Sequence, residues 1–225
     1  MTKVIVLRPE PGASETVDRA KARGLDAVAL PLFAIEPIKW SAPEPGAFGA
    51  LLLTSANALR FGGEQLANLR GLPVHAVGKA TAEAARDAGF GIASSGDAGI
   101  ERLLGSLEAD LKLLHLCGED RTEAEARQEI TTVPVYRSRM IEPAPDVGVA
   151  QGQIVLVHSQ RATRRFAELV SQRQANRSDI TIVAISDATA RAAGVGWKCI
   201  EIADHPIDDA LLALVERLCD KDAQG

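Results

Sequence analysis

The chain of 225 residues has few aromatic side chains, few cysteines and no excess of positive charge. Aromatic residues make up 4% of the sequence, and its three cysteines, Cys117, Cys199 and Cys219, form no Cys-x-x-Cys pair. Such separated cysteines indicate neither a disulfide framework nor a structural zinc site. The formal net charge of −5 argues against nucleic acid or an anionic membrane surface as a partner, because both attract clustered positive charge.

Long hydrophobic runs and common nucleotide motifs are missing as well. No run approaches the length of a membrane span, and the apolar run Val4–Leu7 is too short for a signal peptide. Neither the dinucleotide fingerprint nor the P-loop nor the Gly-x-Ser-x-Gly elbow occurs. The sequence therefore predicts a cytoplasmic protein without a metal, and the lack of an unused apolar stripe favours a monomer.

The sequence does contain a regular alternation of short apolar runs and amphipathic helical patterns. Runs such as Leu51–Leu53 and Ile154–Val157 are continuously apolar, as expected for parallel strands covered by helices on both faces. Residues 162–170 and 208–219 place their apolar positions on one helical face. The alternation predicts an α/β fold.

Thr122 and Glu125 have the spacing of a capping box. This spacing predicts that another helix begins after the apolar run that starts at Leu113.

Two proline-rich extended stretches interrupt the alternation, at 31–46 and 133–148. Repeated proline prevents a continuing helix, so we interpret these stretches as crossings between two domains, the first of them discontinuous. The predicted boundaries are 1–33 with 141–225 for the first domain, 39–132 for the second, and about 34–38 and 133–140 for two linker strands. One sheet of nine strands is the alternative.

A pattern of strand, hydroxyl-bearing turn and helix occurs twice. LLLTSANALRFGG breaks at Thr54 and Ser55, and IVLVHSQRATRRFAELV breaks at His158 and Ser159. Each is followed by a second strand and an alanine-rich helix. Two parallel-sheet domains of similar, flavodoxin-like build explain this repetition with the fewest assumptions.

The turns after these strands are the predicted binding site. Carboxyl ends of parallel strands gather at one edge, where the unpaired N–H groups of helix starts attract carboxylates or phosphates. We therefore predict a large, multiply anionic ligand between the two domains; ordinary helix capping is the competing interpretation of the hydroxyls. The predicted binding residues are Arg8, Thr54, Ser55, Gly78, Lys79, Thr81, Gly118, Ser159, Ser186 and Thr189.

Tyr136 is the only tyrosine and lies in a predicted linker strand, VPVYRSR. A phenol can donate a proton or a hydrogen bond to a leaving oxygen. The alternative is an amphipathic residue at a domain junction. The four histidines show no metal-ligand spacing.

Six segments, taken together in order and spacing, resemble uroporphyrinogen-III synthase over nearly the whole chain. They are LLLTSANALR, HAVGKATAEAARDAGF, LLHLCGEDR, VPVYRSR, IVLVHSQRATRRFAEL and AISDATARAA. The resemblance implies a cofactor-free lyase that closes hydroxymethylbilane, a linear tetrapyrrole rich in carboxylates. Loss of water would give an electrophilic azafulvene, and a spiro intermediate would then lead to uroporphyrinogen III with its last ring inverted.

Carried over by position, the resemblance implies that Tyr136 assists departure of the hydroxyl. It also implies that Thr81 and Thr189 lie at paired helix starts, Thr54-Ser55 and Ser159 at the hydroxyl turns, and Arg8 at the N-terminal edge. The chain departs from the family pattern at His158, where members vary. It departs also at Ser186, where glycine is frequent and would allow closer approach of a ligand.

Two other functions fit the residues alone. A two-lobed binding or regulatory module could clamp an anionic metabolite without converting it. A flavodoxin-like electron carrier would need a flavin, for which few aromatic side chains are available.

Overall fold

The computed structural model describes residues 2–96, 99–121 and 124–222, and side chains as far as 219. The α-helices within these ranges are α1 (Gly12–Ala22), α2 (Asn57–Phe61), α3 (Lys79–Asp87), α4 (Ile100–Gly105), α5 (Gln160–Gln172), α6 (Asp187–Ala193) and α7 (Asp208–Asp222). The strands are β1 (Val4–Val6), β2 (Ala27–Ala29), β3 (Phe33–Pro37), β4 (Ala50–Leu53), β5 (Val74–Val77), β6 (Ile92–Gly96), β7 (Leu113–Gly118), β8 (Ile130–Met140), β9 (Ile154–Val157), β10 (Thr181–Ala184) and β11 (Cys199–Ile202).

The strands form two sheets. The first has five strands in the order β11-β10-β9-β1-β2, and the second has six in the order β3-β8-β7-β4-β5-β6. The neighbours β2-β1-β9-β10-β11 and β8-β7-β4-β5-β6 pair in parallel. The predicted α/β class with parallel sheets is therefore confirmed, and the alternative of one nine-stranded sheet is wrong.

The chain divides into two compact units. Unit 1 comprises Met1–Ala34 and Arg139–Gly225, and unit 2 comprises Ile35–Ser138. The segments predicted as linker strands, 34–38 and 133–140, largely coincide with β3 and β8, which lie side by side in the second sheet. The backbone N–H of Ile38 continues this pairing by donating to the carbonyl of Val135 at 2.9 Å.

Unit 1 is built as a sheet with a core on each face. Successive strand side chains point to opposite faces, so Ile5 packs with Phe166 of α5, whereas Val4 packs with Leu211 of α7. The Phe166 and Trp197 rings stack with centroids 5.7 Å apart and belong to the core on the α5 face of the sheet. Because helices cover both faces, the central strands β1 and β9 are apolar at every position.

Unit 2 follows the same construction with shorter helices. Leu51 and Leu53 of β4 pack with Ala82 of α3, whereas Leu52 packs on the other face with Leu103 of α4. All four residues of β4 are buried. The apolar run that identified this strand in the sequence is thus explained by burial on both sides.

Two local features differ from the sequence predictions. Strand β6 was not predicted, because its sequence, IASSG, contains only one branched apolar residue. The segment is a strand because it pairs with β5. Of the predicted capping box, Thr122 lies outside the described residues, and residues 124–129, which include Glu125, are not helical. Among the described residues, no helix is long and apolar enough to cross a bilayer.

Candidate functional site

Each sheet contains one position where the direction of strand addition reverses. In the first sheet the reversal lies between β1 and β9, and in the second it lies between β4 and β7. At such a position the connections leave on opposite sides, which opens a crevice at the carboxyl ends of the two strands where ligands bind. These two crevices are the places to compare with the predicted site.

The crevice of unit 2 contains a cavity of about 330 Å³. It brings together four of the predicted site residues, which come from the ends of β4 and β7 and from β8. The lining residues are Thr54, Ser55, Val77, Ile100, His115, Cys117, Gly118, Asp120, Arg121 and Tyr136.

Tyr136 is held in this cavity by its hydroxyl, its backbone and its ring. The hydroxyl shares a hydrogen bond with the Ser55 side chain. The Tyr136 carbonyl accepts from the N–H of Glu119 at 2.9 Å, and the Phe61 ring lies 6.4 Å away between centroids. Burial raises the pKa of the Tyr136 phenol; the Ser55 bond lowers it in part, and nearby Cys117 adds to the rise. The phenol is thus protonated at neutral pH and available as a donor.

Gly118 makes room for the tyrosine ring. A Cβ at this position would lie 2.8 Å from Cε2 and 2.9 Å from Cζ of Tyr136. Both distances are far inside van der Waals contact, so the absence of a side chain at 118 sets where the phenol lies.

We expect Gly118→Ala to displace the phenol from its buried position and so bring the pKa of Tyr136 back toward 10.0. Because the chain has one tyrosine, ¹³Cζ-labelled tyrosine gives a single NMR signal whose pH titration measures this pKa directly. Gly91→Ala is the matched control, since a Cβ there meets nothing within 4 Å. An unchanged titration in Gly118→Ala would contradict the steric role.

His115 extends the polar side of the cavity and was not among the predicted site residues. Its Nε2 lies 3.2 Å from the Thr54 hydroxyl oxygen. Burial, assisted by the charge of Arg121, lowers the pKa of His115 to about 4, so the imidazole is neutral at neutral pH. Burial also raises the pKa of the Cys117 thiol, and the positive charge of Arg121 lowers it in part. The sequence signal that could have identified His115 and Cys117 is their spacing of two residues in β7, which places both on one face near the end of the strand.

Three predicted residues of unit 2 are not among those that line this cavity. Gly78 precedes α3 with a φ of +86°, a left-handed conformation that favours glycine. Lys79 is the first residue of α3, and Thr81 is buried in its first turn with 6% of its surface exposed. These positions form the start of α3, next to Val77 of the cavity wall.

In unit 1 the predicted serines cap helices. The Ser159 hydroxyl accepts from the N–H of Ala162 at 3.2 Å, at the start of α5. The Ser186 hydroxyl accepts from the N–H of Thr189 at 3.4 Å and lies 3.0 Å from the Thr189 hydroxyl, at the start of α6. This is the geometry that ordinary capping predicts. Ser186 has an extended backbone with φ −161°, which any residue adopts.

The crevice of unit 1 contains a carboxylate of the protein itself. Asp208, the first residue of α7, accepts hydrogen bonds from the Arg8 guanidinium at 3.2 Å, from the Thr16 hydroxyl at 2.6 Å, from Nε2 of His158 at 2.8 Å and from Arg19. The predicted binding residue Arg8 thus lies at the expected strand end and is engaged within the fold. The sequence did not predict this cluster, because its members lie up to 200 residues apart in the chain.

The charge of Asp208 is stabilised by its neighbours. Burial would raise the pKa of its carboxyl, but the hydrogen bonds from His158, Thr16 and Arg19 outweigh burial and hold the pKa well below its usual range. Since a carboxylate only accepts, Nε2 of His158 carries the proton of their shared bond. Nδ1 of His158 is buried and has no hydrogen-bond partner in the described structure.

No group of three or more His, Cys, Asp or Glu side chains within the described ranges has a geometry that could hold a metal ion. The donors in the unit 2 cavity are hydroxyl, imidazole and guanidinium groups.

Comparison with known proteins places these features in a family context. A family model described as uroporphyrinogen-III synthase HemD matches residues 14–213. A uroporphyrinogen-III synthetase structure from Helicobacter pylori 26695 is similar with TM-score 0.64 and 18% identity, over 97% of this chain and 100% of that one. A mutant uroporphyrinogen III synthase from the extremely thermophilic bacterium Thermus thermophilus gives TM-score 0.52 and 16% identity, over 98% and 100%. A comparison with curated protein sequences gives no significant match. At these identities the structural likeness establishes the fold, and the family model spans most of the chain.

Proposed function

This chain belongs to the uroporphyrinogen-III synthase family, and we propose that it closes hydroxymethylbilane to uroporphyrinogen III with Tyr136 as the catalytic proton donor. The observation that carries the assignment of Tyr136 is its place in the crevice between β4 and β7, protonated and hydrogen-bonded to Ser55. The family is one of cyclising hydro-lyases in haem biosynthesis. The alternative of a binding module without catalysis finds no support in the comparisons.

In this proposal the first step is the loss of the terminal hydroxyl of the substrate. The Tyr136 phenol donates a hydrogen bond, and then its proton, to that hydroxyl, which leaves as water. The pyrrole nitrogen supplies the electrons and then gives up its own proton, which restores the Tyr136 phenol and leaves the electrophilic, neutral azafulvene. Ser55, which is hydrogen-bonded to the same phenol oxygen, stabilises the negative charge that develops on that oxygen.

The remaining steps need position more than acid–base strength. The substituted carbon of the last ring attacks the azafulvene, and the resulting spiro intermediate fragments and recloses with that ring inverted. Holding the chain folded keeps the competing carbon away from the electrophile and removes the entropic cost of bringing the correct ends together. Thr54, Gly118 and Arg121 of the same cavity supply donors and space for this purpose.

We propose further that the two compact units are the two domains of the predicted architecture. In chain order within unit 1, the first sheet reads 2-1-3-4-5, the flavodoxin-like order, which supports that description for this unit. The second sheet reads 3-2-1-4-5 from β6 to β8, with β3 added beyond β8. The helix starts at Gly78, Ser159 and Ser186 are the proposed anchors for the carboxylate side chains of the substrate.

The cytoplasmic location, the monomeric state and the absence of nucleic-acid or membrane partners stay predictions from the sequence.

The direct test supplies hydroxymethylbilane to the purified protein and separates the oxidised products by isomer. Without an enzyme the substrate closes to the uninverted isomer I, so the expected result is isomer III in proportion to added protein. Heat-denatured protein is the control. Isomer I alone, at any protein concentration, would overturn the proposed function and return the chain to the class of binding modules.

A further inference from the structure

Unit 1 contains a groove of about 560 Å³ between α5 and α6 that no predicted site residue lines. Three arginines surround it: Arg164 from α5, Arg191 from α6 and Arg177 from the segment between α5 and β10. Its floor is made of small residues of α6 and its end, including Ala188, Ala192 and Gly194. The groove is therefore wide, positively charged and free of large side chains along one wall.

The charges around this groove are not balanced by the protein, in contrast to most arginines of the unit. Among the described residues of unit 1, ion pairs with carboxylates are formed by Arg8, Arg19, Arg23, Arg165, Arg173 and Arg217. In the described part of the chain, none of the three groove arginines forms an ion pair. A concave surface lined by one sign of charge concentrates ions of the other sign.

The three guanidinium groups are also held differently. Arg177 is fixed, because it donates to the carbonyls of Ala167 at 2.8 Å and Val195 at 3.1 Å and stacks on Trp197. Arg164 donates to the exposed amide oxygen of Gln160 at 2.9 Å. Arg191 has no side-chain partner among the described residues, and Asp187, one helical turn earlier, forms no ion pair with it. Two of the three guanidiniums are thus available to a ligand.

The position of the groove connects it to the proposed substrate site. One end is formed by Gln160 and Ala188, which lie in the first turns of α5 and α6. These turns carry Ser159, Ser186 and Thr189, the unit 1 residues of the proposed anchoring edge. A ligand anchored at that edge with long anionic arms would extend into the groove.

We propose that the α5–α6 groove is a carboxylate-binding subsite in which Arg164 and Arg191 hold acetate or propionate arms of the tetrapyrrole. This inference rests on the proposed function for the identity of the ligand. Guanidinium and carboxylate form paired, charge-assisted hydrogen bonds, and the small residues of the floor leave room for the methylene stems of the arms. Arg177 adds a fixed positive charge at the far end.

The test is calorimetric titration of uroporphyrinogen III, kept reduced under argon, into three proteins. These are the wild type, the double variant Arg164→Gln/Arg191→Gln, and the control Arg173→Gln/Arg217→Gln, whose arginines are exposed, pair with surface carboxylates and lie outside the groove. The control removes the same net charge from the same unit. We expect the groove variant to bind about tenfold more weakly than the wild type and the control to change less than about twofold.

Equal Kd values for the two double variants would overturn the groove proposal, as would a wild type that does not bind uroporphyrinogen III. A groove variant that loses affinity for inorganic phosphate while binding the tetrapyrrole normally would also overturn it, in favour of a site for free anions. The isomer assay reports separately: isomer III made by a protein whose groove variant binds normally leaves the function standing and removes the groove. If binding depends on the groove arginines but the protein makes no isomer III, the groove stands as a binding site and the proposed function is overturned.

Discussion

Tyr136→Phe is expected to lower kcat for uroporphyrinogen III formation about a hundredfold, within the range that a positioned proton donor contributes. The substitution removes one oxygen atom and leaves the ring, which the space at Gly118 accommodates, so folding is expected to be retained. Turnover of hydroxymethylbilane and circular dichroism measure the two properties. The proportion of isomer I should rise, because spontaneous closure then competes with the slowed enzyme.

Ser55→Ala is the companion variant for Tyr136→Phe. It keeps the phenol and removes the hydrogen bond to it, so its effect on kcat should be smaller, about tenfold, with KM little changed. Near-wild-type turnover by Tyr136→Phe would remove the phenol from the mechanism. An equal loss in both variants would instead indicate that the pair acts only by shaping the cavity.

Asp208→Asn is expected to lower the free energy of unfolding by about 3 kcal/mol, because it leaves the arginine and histidine partners without their carboxylate. The Asp208 side chain is 13% exposed, so water cannot replace the lost charge effectively. Asp209→Asn is the matched control: it lies in the same first turn of α7, is 68% exposed, and should cost less than about 1 kcal/mol. Urea titration followed by circular dichroism gives both values, and equal losses would contradict the role of the cluster.

The same cluster predicts how stability depends on pH. Because the folded protein holds the pKa of Asp208 below its ordinary value of 3.8, the stabilisation is fully present above about pH 4. It is lost as the pH falls below 3.8 toward the lowered folded-state pKa. Wild type and Asp208→Asn should therefore converge in stability during acid titration below about pH 4.

Strands buried on both faces were the part of the fold that the sequence predicted best. Runs such as Ile154–Val157 are apolar throughout because helices cover each side of the sheet, so burial leaves a signal in consecutive residues. Strand β6 carries no such signal: Ser94 and Ser95 belong to a strand because β5 offers them a hydrogen-bonding edge. That information belongs to the partner strand and cannot be read from the segment itself.

The candidate site was predictable where a turn motif and a resemblance coincided. Tyr136, Ser55 and Gly118 were predicted individually, and the structure brings them into one cavity. Their dependence on one another was not predictable, since the clearance between Gly118 and the phenol ring is a distance between two strands. The Asp208 cluster was missed for a related reason: His158 and Asp208 are 50 residues apart, and each looks ordinary in its own segment.

The crevices of the two sheets also differ in what they contain. In unit 1 the Asp208 carboxylate lies at the strand ends and accepts hydrogen bonds from its neighbours; in unit 2 the corresponding strand ends line a cavity that contains Tyr136. New chemistry is therefore easier to introduce in one unit than in the other. The lining of the unit 2 cavity can be redesigned directly, whereas the unit 1 crevice would first need a replacement for Asp208, which binds Arg8, Thr16 and His158.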